Sequence, residues 1–310
     1  MTAPSLPVDF LARLRAVRKL MVERCATVES GRRAATLLHR IETRVQRPPC
    51  IVLLGETNSG KSTLANHLLQ RALLTTDIVR NTRAPVLVRY APVPFVQART
   101  ADGTPHLLTT HAATRPRLDE IERVDVGIPI EALRDFEILD LPGLTTDTAD
   151  VDRARRLCTT AHMAIWCTVA SQAWRASELA LWTALSKRFS QSSVLAVTHV
   201  DGLGAGDRDK VSRRLERTAG SLFRSIVMVT EDAAPIVDGA DDGRMERATG
   251  DDAASGADLR NVVRAAAADV QAERHKSAGR VVRNFADRLT RAQREHRATR
   301  SAIDAKALRV

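Results

Sequence analysis

Hydrophobic residues recur at helical spacing at both ends of the chain. Steps of three and four predict an apolar helix stripe over Phe10, Leu14, Val17, Met21, Cys25 and Val28. A second helical pattern begins after Ser30-Gly31 and ends at Pro48-Pro49, and residues 257–310 repeat the spacing with a possible bend at Gly279. Because no helix buries its own stripe, we expect residues 1–47 and 257–310 to form a helical bundle. The alternative is ordinary helices with solvated faces.

The pattern changes between these arms. Short β-branched runs alternate with helical stretches; they cover residues 51–54, 86–90, 124–130, 136–139, 163–169, 194–198 and 226–230. This alternation predicts an α/β domain over residues 48–235, with a mostly parallel sheet and helices on both faces. Asp102-Gly103 predicts an antiparallel hairpin within it. Residues 236–256 are acidic, glycine-rich and aperiodic, which predicts a flexible loop.

The formal charge of +10 is concentrated in the two arms. Residues 1–47 carry 10 Lys/Arg against 4 Asp/Glu, and residues 256–310 carry 13 against 6, which leaves −3 for the middle. Localised basic helices suit an anionic membrane surface, an acidic protein partner or RNA. Aromatic residues make up only 3 % of the chain, so RNA is the least favoured of the three.

The cysteines and the apolar runs bear on the cellular location. The four cysteines lack the spacing of a metal site or a redox pair, so we expect reduced, structural thiols. No run approaches the roughly 18 apolar residues of a membrane span, and the first residues lack an apolar stretch of signal-peptide type. We therefore expect a cytoplasmic protein that is at most peripheral to a membrane.

The strongest chemical signal follows the first strand of the α/β domain. It is the segment Gly55-Glu56-Thr57-Asn58-Ser59-Gly60-Lys61-Ser62, and Thr63 continues it into a helix. Such a loop turns successive backbone N–H groups and a helix N-terminus toward phosphate oxygens. Lys61 is expected to contact the β- and γ-phosphates of a nucleotide, and Ser62 is expected to bind Mg²⁺.

Two further segments predict the rest of the phosphate site. Asp140-Leu141-Pro142-Gly143 follows a strand, so Asp140 is expected to hold Mg²⁺ through water and Gly143 to offer its N–H to a γ-phosphate. Thr82 lies 21 residues after Lys61 and is expected to complete the Mg²⁺ shell when the γ-phosphate is present. Thr75 and Thr76 are alternative candidates for this role, and without it they are ordinary turn residues.

The run Thr198-His199-Val200-Asp201 ends an apolar strand and predicts a base-recognition site. A carboxylate at Asp201 accepts hydrogen bonds from guanine donors that adenine lacks, which selects GTP. His199 stands where such motifs have lysine, so we expect a reduced affinity. Thr230, after the next strand, is a candidate for the base pocket. The alternative for Asp201 is an ordinary loop carboxylate before Gly202.

In this order the four segments resemble the dynamin-like branch of the GTPases. The resemblance rests on GETNSGKSTLANHLL, RNTRAPVLVRY, VDVGIPIEALRDFEILDLPGL and THVD, and it covers roughly residues 50–230. It implies a GTPase with a bundle beside the GTPase domain, which dimerises through its nucleotide face with a copy or a related GTPase. It also implies that GTP turnover moves a helical stalk, often at a membrane.

Asn58 departs from the eukaryotic dynamins, which have a serine there, and is similar to Era-like and tRNA-modifying GTPases. In those proteins the amide oxygen helps to bind K⁺, so we expect Asn58 to place K⁺ near the phosphates in the role of an arginine finger. The other interpretation is that Asn58 only tolerates a tight loop. Without a visible general base, the water is expected to be positioned near Thr57, Asn58 and Thr82.

The segment before residue 176 allows two interpretations. Trp174 is predicted to be buried against the next helix, and the alternative is that Ser171–Arg175 lines a dimer face.

Two function classes remain open on the sequence. The first is a GTP-hydrolysing, dynamin-like enzyme whose basic bundle contacts anionic lipid or another subunit. The second is a GTP-gated binding module that captures a protein or RNA partner with little or no hydrolysis. A degenerate GTPase that binds without hydrolysing is a third interpretation, based on His199.

Overall fold

The computed structural model describes residues 8–25, 29–71, 84–108, 120–189, 192–230 and 251–307. Thr75, Thr76, Thr82 and most of the predicted acidic loop lie outside these residues. The chain divides into two compact units, one of residues 1–47 with 271–310 and one of residues 48–270.

Within the described part of the chain, a nine-stranded sheet forms the centre of the larger unit. Its strands are β1 (Cys50–Leu54), β2 (Val86–Tyr90), β3 (Phe95–Thr100), β4 (Pro105–Leu107), β5 (Ile121–Ile128), β6 (Glu137–Asp140), β7 (Met163–Val169), β8 (Ser193–Thr198) and β9 (Ser225–Met228). They lie in the order β4-β3-β5-β2-β6-β1-β7-β8-β9. The five strands from β6 to β9 in this order are parallel, whereas β2 is antiparallel to β6 and parallel to β5.

Helices cover both faces of this sheet, which confirms the predicted α/β architecture. They are α3 (Lys61–Leu69), α4 (Thr148–Cys158), α5 (Ala176–Leu185), α6 (Ala205–Ala219) and the first part of α7 (Asp251–Ala307). On one face, α3 and α7 bury Leu64 and Leu259. On the other, α4, α5 and α6 bury Ala154, Trp182 and Leu215. Strand β1 is fully buried, as expected for a strand covered on both sides.

Strands β3 and β4 form the hairpin that Asp102-Gly103 predicts. Gly103 has a φ of +80°, a conformation that favours glycine. The Asp102 carboxylate accepts hydrogen bonds from Thr100 Oγ1 at 2.7 Å and Thr104 N at 2.9 Å, which fixes the turn.

The smaller unit consists of α1 (Val8–Cys25), α2 (Glu29–Gln46) and residues 271–307 of α7. Its apolar core is formed by Leu14, Met21, Leu38 and Val282. Glu42 is buried between α1 and α2, where Oε1 lies 2.7 Å from Arg15 Nε and Oε2 lies 3.2 Å from Arg18 Nε.

The C-terminal helix differs from its predicted bounds. Helix α7 begins at Asp251, so the end of the predicted loop is helical, and it continues through Gly279. Residues 257–270 belong to the larger unit rather than to the bundle. The reason is packing, because Leu259, Val263 and Ala266 are fully buried against the sheet.

Helix α2 also differs from its predicted bounds, since it includes Ser30-Gly31, which the sequence pattern placed between two helices.

Among the described residues, no helix has the length and apolar character needed to cross a membrane.

Candidate functional site

The loop between β1 and α3 has backbone conformations that few side chains allow. Gly55 has a φ of +147°, Asn58 of +62° and Gly60 of +80°. A β-carbon at Gly55 would lie 2.5 Å from Cys167 O and 2.6 Å from Ser59 Oγ, so only glycine fits. This is the tight strand–loop–helix geometry that the phosphate-loop motif predicts.

Lys61 lies buried on the inner side of this loop. Its Nζ donates hydrogen bonds to Glu56 O at 2.7 Å, Gly55 O at 3.1 Å and Ser59 Oγ at 3.4 Å. Burial lowers the pKa of Lys61, and nearby negative groups, including the Asp140 and Glu56 carboxylates, oppose that shift. The loop therefore holds one buried cation, which suits a phosphate ligand.

Ser62 and Asp140 meet at the start of α3 and the end of β6. Ser62 Oγ donates to Asp140 Oδ2 at 2.9 Å, and Asp140 Oδ1 is buried without a hydrogen-bond partner among the described residues. Burial raises the pKa of Asp140 to about 6, against the opposing effects of Ser62 and Lys61. A hydroxyl beside a carboxylate with one unused oxygen fits a hydrated Mg²⁺ ion.

The segment after Asp140 runs against the phosphate loop. A β-carbon at Gly143 would lie 2.5 Å from both Thr57 Cα and Thr57 Oγ1. Leu144 N donates to Gly55 O at 3.0 Å, which pairs the two loops. The fold thus brings Gly143 to the phosphate loop, as the motif requires.

The predicted base-recognition run begins in direct contact with the phosphate loop. Thr198 Oγ1 lies 3.0 Å from Ser59 O and 3.2 Å from Thr168 O. A β-carbon at Gly60 would lie 3.2 Å from Thr198 Cβ. His199 and Asp201 are exposed just beyond β8, and His199 has a φ of +54°.

The remaining candidates lie at the same edge of the sheet. The parallel pairing of Val197 with Met228 puts Thr230, which follows β9, at the level of His199. Thr230 is buried, and its hydroxyl has no hydrogen-bond partner among the described residues. Thr63 and Asn58 are exposed at the start of α3 and in the loop.

Glu178 holds the loop around Arg175 in place, and the sequence pattern did not single it out. It is 2 % exposed and accepts hydrogen bonds from Trp166 Nε1 at 3.1 Å, Thr168 Oγ1 at 3.0 Å and Arg175 N at 2.9 Å. Its position three residues after Arg175, where a helix begins, is the available sequence signal, because glutamate at that position caps helices.

A second feature that the sequence did not predict is an ion pair between Arg175 and Glu56. It joins the loop before α5 to the phosphate loop, 119 residues apart in sequence. Trp174 beside it is 7 % exposed, in agreement with the predicted burial, and lies edge-on to Trp166 with ring centroids 6.2 Å apart. No spacing rule connects residues 56 and 175.

Comparison with known proteins identifies related sequences. Residues 51–198 match the family model of the dynamin family. Dynamin-like protein 2 of Campylobacter jejuni is 25 % identical over 185 residues, which are 58 % of this chain and 30 % of that protein. Isoniazid-induced protein IniC of Mycobacterium tuberculosis is 32 % identical over 128 residues, which are 39 % of this chain and 26 % of that protein.

A solved structure of an oligomerised bacterial dynamin pair, described as sensing and tethering membranes over long range, has a similar fold. The TM-score is 0.56 at 17 % identity, over 88 % of this chain and 43 % of the other. The chain spans less than a third of the two curated relatives it matches. The family match over residues 51–198 agrees with the phosphate-loop geometry, so this part of the chain is similar to the dynamin family.

Proposed function

We propose that the chain binds GTP with Mg²⁺ and hydrolyses the γ-phosphate. The observation that carries this proposal is the convergence of Lys61, the Ser62–Asp140 pair and Gly143 on one loop. Lys61 would contact the β- and γ-phosphates, and Ser62 and Asp140 would hold Mg²⁺, with Thr82 as a further ligand. Mg²⁺ bound there supplies positive charge to the phosphate oxygens.

Guanine selection is assigned to the end of β8. The Asp201 carboxylate would accept the two guanine donors, and His199 would lie along the base in place of the usual lysine stem. Thr198 holds this segment against the phosphate loop, because its Oγ1 lies 3.0 Å from Ser59 O. The buried Thr230 hydroxyl is a further candidate for the pocket.

We assign hydrolysis to the positioning of water and of the phosphate groups rather than to proton removal by a general base. Backbone N–H groups of the phosphate loop and of Gly143 stabilise negative charge where it develops, and Thr57 and Thr82 help to orient water. Asn58 is exposed, and its side-chain amide oxygen would bind K⁺. K⁺ at Asn58 would add the charge that other GTPases take from an arginine finger.

Dimerisation through the nucleotide face, with a copy or a related GTPase, is proposed to raise the turnover rate. The membrane-tethering dynamin pair with the similar fold supports such an assembly. The basic residues of the smaller unit would contact an anionic membrane surface or an acidic subunit, with RNA as the least favoured partner.

The test is phosphate release from GTP and ATP across a range of protein concentrations, in KCl and in NaCl. We expect GTP to be preferred, the specific rate to rise with concentration, and the rate in NaCl to fall by about tenfold or more. Asn58→Ala should make the two salts equivalent while GTP binding persists.

Lys61→Ala is the control for hydrolysis by a contaminating enzyme. Equal rates in KCl and NaCl for the unmodified chain would contradict the role of K⁺. A negligible rate with intact GTP binding would instead favour the GTP-gated binding module.

A further inference from the structure

The ion pair between Arg175 and Glu56 lies at the phosphate loop and has no role in the proposed function. Arg175 Nη2 donates to Glu56 Oε2, and the two side chains are 48 % and 19 % exposed. Because the Arg175 side chain is half exposed, solvent screens this ion pair, which then contributes little to folding stability. Its placement on the second residue of the phosphate loop therefore calls for another explanation.

The backbone of Arg175 is held in place by a buried network. Arg175 N donates to Glu178 Oε2 at 2.9 Å, and Glu178 also binds Trp166 Nε1 and Thr168 Oγ1. Trp174 packs edge-on against Phe223, with ring centroids 5.2 Å apart. The guanidinium thus extends toward Glu56 from a backbone position that the network anchors.

Glu56 places a negative charge beside the cation of the phosphate loop. Its backbone oxygen accepts a hydrogen bond from Lys61 Nζ at 2.7 Å, and its carboxylate acts on Lys61 as a nearby anion. An unpaired carboxylate at this position repels a polyphosphate, and the repulsion grows with the number of phosphate charges. A site for a nucleoside triphosphate therefore needs this charge neutralised.

We propose that Arg175 is a positioning residue that neutralises the Glu56 carboxylate and thereby sets the affinity of the phosphate loop for nucleoside triphosphates. This role rests on the proposed binding of GTP and adds to it a residue outside the four sequence motifs. It also predicts discrimination by charge, because losing Arg175 penalises a triphosphate more than a diphosphate.

The test compares the affinities of fluorescent mant-GTP and mant-GDP for the full chain and for three variants, Arg175→Ala, Glu56→Gln and the double variant. We expect Arg175→Ala to weaken mant-GTP binding about tenfold and mant-GDP binding about threefold. Glu56→Gln in the Arg175→Ala background removes the repelling charge and should restore both affinities to within about twofold. Raising the salt to about 0.5 M should shrink the defect of the single variant.

Arg134→Ala is the matched control. Arg134 is 53 % exposed and its Nε lies 2.9 Å from Glu131 Oε2, in an ion pair at another place in the same unit. We expect it to leave both affinities unchanged. Thermal unfolding of each variant separates lost binding from lost folding.

The inference is overturned if Arg175→Ala binds mant-GTP like the unmodified chain, or if Glu56→Gln fails to restore its affinity. An unmodified chain that binds no mant-GTP would contradict both the proposed function and this inference. An unmodified chain that binds mant-GTP without releasing phosphate would contradict the hydrolysis alone, and the affinities of the variants would still decide the role of Arg175.

Discussion

One charged side chain lies in the interior of the sheet, which the hydrophobic pattern does not predict. Asp125 on β5 is fully buried, and its carboxylate accepts hydrogen bonds from Arg99 Nε at 2.7 Å and Arg123 Nε at 2.6 Å. Arg89 approaches it to 3.8 Å. Burial alone would raise the pKa of Asp125, but the arginine hydrogen bonds outweigh it and lower the pKa.

Asp125→Asn should therefore destabilise the protein in a pH-dependent way. Leaving the three guanidinium groups without their carboxylate should cost about 3 kcal/mol of unfolding free energy at pH 7. Because the folded-state pKa is lowered, this contribution is complete above the unfolded pKa of about 4 and is lost as the pH falls through the folded value.

Urea unfolding of both proteins over this pH range measures the effect. Asp152→Asn is the control, since Asp152 forms an exposed pair with Arg155 and should change stability by less than about 1 kcal/mol. A difference between Asp125→Asn and the unmodified chain that persists unchanged below the folded pKa would contradict the assignment.

The sequence predicts which residues lie together where they belong to one short motif. Lys61, Ser62, Asp140, Gly143 and Thr198 lie together around the phosphate loop, as the motifs suggest. Their roles toward GTP and Mg²⁺ stay predictions, as does that of Thr82 outside the described residues. Long-range pairs such as Arg175 with Glu56 follow from tertiary structure, so no local pattern indicates them.

At the scale of elements, the N-terminus of α5 depends on one carboxylate. Glu178 receives three donors, from Trp166, Thr168 and Arg175. A glutamine at this position keeps one oxygen and turns an amide donor toward groups that also donate.

Glu178→Gln should therefore lower the unfolding free energy by about 1–3 kcal/mol and alter tryptophan fluorescence near Trp166. Chemical unfolding with fluorescence detection measures both effects. Glu216→Gln, on the exposed side of α6, should do neither. Equal stability of the two variants would show that the buried carboxylate is not required.

Element bounds were predictable where an apolar run ends at a turn, as at β1, β2 and the Asp102-Gly103 hairpin. The start of α7 was not predictable, because its polar first residues resemble a loop in composition. The antiparallel relation of β2 to β6 also escaped prediction, since strand direction is a property of the chain path rather than of the strand sequence.

For the whole molecule, the division at residue 270 changes which fragment should fold. A fragment of residues 48–256 lacks Leu259, Val263, Ala266 and Ala267, all of them buried in the sheet core. The loss of Leu259 and Val263 alone removes about 3–6 kcal/mol of apolar burial. The sequence placed this boundary at 257, because a helical stripe does not say which partner covers it.

We expect residues 48–270 to fold and bind mant-GTP, and residues 48–256 to be unfolded or to melt well below the longer fragment. Thermal unfolding and mant-GTP binding of the two fragments measure this directly. Equal melting of both fragments would show that the first turns of α7 are dispensable to the larger unit.

The helices of the smaller unit come from the segments before and after the larger unit in the sequence, and this order has a consequence during synthesis. Helices α1 and α2 emerge from the ribosome before the larger unit, but the residues of α7 that cover their apolar core follow only after residues 48–270. At roughly 5–20 residues per second, those 223 residues take about 10–45 seconds to translate. Throughout that interval Leu14, Met21 and Leu38 lack their final cover, so the nascent chain should be a client for chaperones that shield apolar helices.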